Sequence, residues 1–149
     1  MREIRVNEEL RDVLLHELDR LERPIPDSVV SDLRAALRQG VVRRELLEAL
    51  GTLIEVGYRT GRVRAIHGPH AEMALLRLYR HTPQGQAVLE SLNPLNKGLE
   101  GLVGQTIEGV SVTLAGPGAY DITIETDRCQ MRIEVSPRGA RVKSVELGF

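Results

Sequence analysis

The chain has no tryptophan, a single phenylalanine (Phe149), three tyrosines and one cysteine in 149 residues. With aromatics at 3%, its core must be built from Leu, Val, Ile and Ala. Flat side chains are also too few to stack successive bases, which weakens sequence-tolerant binding of single strands. The lone Cys129 excludes a disulfide within the chain and fits a reducing compartment. No run approaches the roughly eighteen consecutive apolar residues that a membrane span needs. The first nine residues, Met-Arg-Glu-Ile-Arg-Val-Asn-Glu-Glu, lack the apolar centre of a secretory leader. A cytoplasmic location without a membrane partner is the expectation.

Lysine is nearly missing too: Lys97 and Lys143 stand beside eighteen arginines. That bias reads as genome composition or a preference for bidentate surface pairing, and carries no function. Formal net charge is −1, so no global field draws the chain onto nucleic acid or anionic lipid. What is present is ordinary for a globular protein: 42% hydrophobic and 28% charged residues, in a length that suits one domain with a buried core.

Helical spacing dominates the first two thirds. Asn7 caps a helix, with Glu8 and Glu9 in its first turn and Leu10, Val13, Leu14, Leu18 and Leu21 on one face, as helix periodicity and the helix dipole favour. Pro24 and Pro26 end it at about Glu22. Asp27 caps a second helix, closed by Gly40 in a left-handed position. A third runs from about Val42 to Val56, with Gly51 marking a close backbone approach. The pattern breaks from Tyr58 to Pro69, where Thr60-Gly61 reads as a turn and Arg62–Ile66 as a short strand or extended arm. A fourth helix spans about His70 to Arg80. Thr82-Pro83 opens a fifth, to Leu92, where Asn93-Pro94 breaks it, and residues 95–104 suit a short last helix.

After Gly104 the period changes to two. Tyr120, Ile122 and Ile124 alternate with polar residues, as do Cys129, Met131, Ile133 and Val135. A two-residue loop at Asp127-Arg128 sets Ile124 opposite Met131 and Ile122 opposite Ile133, so apolar meets apolar. Ser136-Pro137-Arg138-Gly139 is a turn that sets Val142 opposite Ile133 and Arg141 opposite Glu134. Val110, Val112 and Leu114 supply a further strand. The expected fold is a single α+β domain over residues 1–149: about five helices (about 1–104) packed in two layers on a four-stranded antiparallel meander (about 105–149) with one oily and one charged face.

No motif names a reaction. His67-Gly-Pro-His70-Ala-Glu72 is the one cluster of ligand types, a candidate divalent-metal site through His67, His70 and Glu72, with His81 a further donor. His70-Ala-Glu72 matches half of the zinc deaminase signature, but the P-C-x-x-C half is absent, which excludes that chemistry. Arg59, Arg62, Arg64, Arg77 and Arg80 face only Glu72 within residues 58–81 and are the candidate nucleic-acid contacts. Three helices followed by a basic arm have the outline of a winged helix, yet Glu45, Glu48 and Glu55 on the third helix would repel phosphates. Gly98-Leu-Glu-Gly101 has the spacing of a phosphate-clamping G-x-x-G, with an unfavourable Glu inside it. There is no P-loop and no G-x-S-x-G elbow. Cys129 falls on an apolar strand face, where a thiol is inert.

These signals favour a non-enzymatic regulatory or interaction domain that self-associates or binds a protein partner, with no resident cofactor. The leucine row of the first helix is either core or a seam for a partner helix. Arg132, Arg141 and Lys143 on the charged sheet face offer a second surface. The alternatives are nucleic-acid binding through the 58–81 arginines and a metal-dependent enzyme centred on His67, His70 and Glu72.

Overall fold

The computed structural model describes residues 3–21 and 25–148. It has the expected α+β class, with helices through the N-terminal part and a four-stranded antiparallel sheet at the C-terminal end. Contacts divide the chain into two compact units, Met1–Ala87 and Val88–Phe149.

In the first unit, α1 (Glu8–Asp19) starts as its cap dictates: Asn7 Oδ1 accepts from the Leu10 N–H at 2.9 Å. It ends sooner than the leucine row suggests, because the Leu21 N–H turns back to the Leu18 carbonyl and tightens the last turn. Glu22 and Pro24, expected to end this helix, lie outside the described residues. Helix α2 (Asp27–Gln39) takes Pro26, not Asp27, at the cap, and Asp27 serves in the first turn. Gly40 closes it at φ 78°, the left-handed conformation that glycine adopts without strain.

Two segments depart from the periodicity. The expected start of a third helix at Val42 is instead strand β2 (Val41–Arg43), paired with β1 (Glu3–Arg5) so that Ile4 faces Val42. Both side chains are buried, and a β-branched pair closes this small sheet better than it would nucleate a helix. A 3₁₀ turn (Arg44–Leu46) then leads into α3 (Leu47–Arg59). The second departure is Arg62–Ile66, read as a strand or arm, which is the first part of α4 (Arg62–Tyr79). Gly61, at φ 71°, reverses the chain, and helix restarts at once. A five-residue window holds too few apolar positions to separate period 2 from period 3.6; here only Val63 needs burial. Helix α4 breaks at Gly68 (φ 89°, ψ 169°) and resumes at Pro69, a residue suited to a first helical position.

The core of this unit is aliphatic: Leu14, Leu18, Leu33, Leu37, Leu50, Leu53, Ile54, Val63 and Leu75 are all but sealed. The leucine row of α1 is therefore core in this chain. Gly51 is approached by the Gln84 side chain, not by backbone: a Cβ there would lie 2.1 Å from Gln84 Oε1. Thr82 and Pro83 open α5 (Pro83–Ser91) as expected, with Thr82 Oγ1 accepting from the Gly85 N–H at 3.2 Å.

The second unit holds α6 (Asn93–Glu100) and strands β3 (Ile107–Gly116), β4 (Ala119–Thr126), β5 (Cys129–Ser136) and β6 (Gly139–Leu147), ordered as a meander. Ile124 faces Met131, Ile122 faces Ile133, Val142 faces Ile133 and Arg141 faces Glu134. Asn93-Pro94, expected as a breaker, begins α6, since proline in a first turn forfeits no helical hydrogen bond. Helix α6 lies along β6. Gly98 permits this approach, because a Cβ there would meet Val142 Cγ2 at 2.9 Å.

Candidate functional site

Alternation in β3–β6 places Val110, Val112 and Leu114, Tyr120, Ile122 and Ile124, Cys129, Met131, Ile133 and Val135, and Val142, Val145 and Leu147 on one sheet face. The strip beneath α6 is closed: Cys129, Met131 and Ile133 are each under a tenth exposed. The remainder is open. Ile107, Val110, Val112, Leu114, Tyr120, Val135, Val145 and Leu147 are between 36% and 74% exposed. The opposite face neutralises itself. Lys143 Nζ lies 2.9 Å from Asp121 Oδ2 and 3.9 Å from Glu134 Oε2, and Arg141 Nε lies 3.2 Å from Glu134 Oε1. Of Arg132, Arg141 and Lys143, only Arg132 makes no ion pair among the described residues.

The first unit contains a polar cluster inside its aliphatic surroundings. Helix α1 carries Val13, Leu14, Glu17 and Leu18 on its buried stripe, so a carboxylate occupies a position where periodicity demands an apolar side chain. The Glu17 side chain is 2% exposed. Its Oε2 accepts from Arg62 Nη2 at 3.2 Å, while Oε1 is buried without a hydrogen-bond partner among the described residues. His16 Nδ1 lies 4.0 Å from that Oε1, and His67 Nε2 lies 3.3 Å from His16 Nδ1. The two imidazoles meet edge to face, with centroids 5.0 Å apart. Gly57 leaves room for Val63: a Cβ there would stand 2.8 Å from Val63 Cγ2, but at an ordinary contact distance of 3.5 Å from Glu17 Oε2.

Of the expected metal ligands, His67 alone enters this cluster. His70, beyond the Gly68 break, is exposed, and Glu72 Oε1 lies 3.8 Å from Arg64 Nη1. His16 and Glu17 were missed because they stand some fifty residues from His67 in the chain. The one signal for them was the acid on the apolar stripe of α1.

The five arginines lie along helical backbone. Arg62 is committed to Glu17 and Arg64 approaches Glu72, while Arg59, Arg77 and Arg80 are exposed with no ion pair among the described residues. The expected extended basic arm is absent, because residues 62–66 are helical. Gly98 and Gly101 also lie at helical dihedrals in and at the end of α6, so the G-x-x-G spacing forms no open backbone clamp. Cys129 is buried, as the strand alternation predicts.

No family model, curated protein or solved structure matches this chain. Among the described residues, no helix is long and apolar enough to cross a membrane.

Proposed function

We propose that the chain is a non-enzymatic interaction domain, regulatory in character, which associates with a second copy of itself through the open apolar face of β3–β6. The observation that carries this reading is the row of eight large apolar side chains, 36% to 74% exposed, on one side of the sheet. A contiguous apolar patch on a monomer seldom exceeds a few hundred Å² without marking an interface. A standard interface needs about 800 Å² from each partner, and eight such side chains offer area of that order.

The choice of a second copy follows from the chemistry of the face. Among the paired positions of the described residues, its only polar side chains are the Tyr120 and Thr126 hydroxyls and the Cys129 thiol, which offer little to select a different partner. A uniformly apolar face complements itself across a two-fold axis, and two such sheets stack about 10 Å apart with their side chains interdigitated. On the charged opposite face Asp121, Glu134, Arg141 and Lys143 already pair with one another, so that face has less to gain from a partner.

Sedimentation velocity across micromolar concentrations tests the proposal on the parent chain and on a Val112→Lys/Leu114→Lys variant. The expected result is a parental dimer, with a variant that needs at least tenfold more protein to associate. A parent that stays monomeric throughout ends the reading.

A further inference from the structure

We propose that His16, Glu17 and His67 form a binding site for a divalent metal ion of zinc-like softness, with His16 Nδ1, Glu17 Oε1 and His67 Nε2 as the protein ligands. The site lies within the first unit and is independent of the apolar sheet face.

Three observations converge on it. The three donor atoms lie within 4.8 Å of one another. Zinc bonds to nitrogen and oxygen are about 2.0–2.1 Å and tetrahedral, which separates ligand atoms by roughly 3.3–3.4 Å. The two histidine nitrogens stand at that spacing already, 3.3 Å apart. The carboxylate oxygen lies 4.0 Å from His16 Nδ1 and within 4.8 Å of the other donors, so it must close by up to roughly 1.5 Å to reach tetrahedral spacing, a movement within reach of rotations along the Glu17 side chain.

The second observation is the orphan. Glu17 is 2% exposed and its Oε1 has no hydrogen-bond partner among the described residues, a condition that destabilises the fold when nothing answers it. A hydrogen bond between the two imidazoles accounts for their 3.3 Å approach but leaves Oε1 unanswered. A cation among the three donors answers all of them together.

The third is the support around the ligands. Arg62 donates to Oε2 and so tethers the carboxylate through its other oxygen, the task of an outer-shell partner at a metal site. Its positive charge also lowers the site's affinity for a cation. The break at Gly68 follows directly on His67. Two imidazoles and one carboxylate suit zinc or cobalt(II) better than magnesium or calcium, which take oxygen ligands. Three protein ligands leave a fourth tetrahedral position for water.

The test uses the full chain purified without a histidine tag, stripped with chelator and then titrated with zinc and with cobalt(II). The expected result is one equivalent of zinc bound, a raised Tm, and the visible absorption bands of tetrahedral cobalt. His16→Ala and His67→Ala should each weaken binding at least tenfold and abolish those bands, while His70→Ala leaves both unchanged. Circular dichroism confirms that each variant is folded, and His67→Ala, at a half-buried position, carries the test should His16→Ala fail to fold. An absence of zinc binding by the parent, or binding that survives His67→Ala, overturns the proposal.

Discussion

The two units use the same aliphatic residue types to opposite ends. Residues 3–87 wrap their leucines around one another until Leu14, Leu33, Leu37 and Leu50 have no exposed surface, and they seal a carboxylate inside. Residues 88–148 align valines, isoleucines and leucines just as regularly, yet leave much of that face in water. The difference is geometric. Four helices and a short ribbon converge on a centre from several directions, whereas a sheet buries a face only where something lies on it. Within the second unit that cover is α6, which is eight residues long.

The sharpest way to break the comparison is to remove equal side chains from each unit. Leu50→Ala should cost the first unit about 2–5 kcal/mol, because it empties a sealed position that neighbours cannot fill. Leu114→Ala, at a site 74% exposed, should change stability by less than about 0.5 kcal/mol at dilute concentrations. Urea unfolding of both variants decides the matter; equal costs would mean that the sheet face is buried in solution.

A smaller effect sharpens the account of how the sheet is partly covered. Gly98→Ala brings a methyl group to within 2.9 Å of Val142 Cγ2. Overpacking there should lift α6 at a cost of about 1 kcal/mol. Faster amide exchange in α6, and stronger binding of a hydrophobic dye, are the readouts.

A last effect is confined to alkaline pH and to the first unit. The Tyr79 hydroxyl donates to Glu55 Oε1 at 2.6 Å. Burial first, then this bond and the nearby Glu55 charge, push the Tyr79 pKa up to about 12. A raised folded-state pKa means that the fold favours the neutral phenol. That stabilisation is present in full below the ordinary value near 10 and is lost as pH rises through about 12. Chemical denaturation between those limits should therefore show a loss of stability that Tyr79→Phe lacks.

How much could be read in the sequence follows the range of each interaction. The sheet register was legible because side-chain alternation and two tight turns leave one pairing in which apolar residues meet, Ile124 with Met131 and Ile133 with Val142. Caps and stops at Asn7, Gly40 and Thr82 were legible for the same reason, since each acts within about four residues. The Val41–Arg43 strand was not, because its partner lies near the N-terminus and nothing local distinguishes it from a helix start. His67 attracted attention through the neighbours that the chain gives it, His70 and Glu72, while the fold sets it beside His16 and Glu17 instead.

The sequence by itself determined the class of the longer elements, the pairing within the four-stranded sheet and the aliphatic character of the core, all of which rest on periodicity and short-range chemistry. Only the tertiary structure decided which apolar residues are covered, and which polar atoms share the buried cluster at Glu17. Burial and ligand geometry depend on groups brought together across tens of residues, where periodicity along the chain carries no information about distance in space.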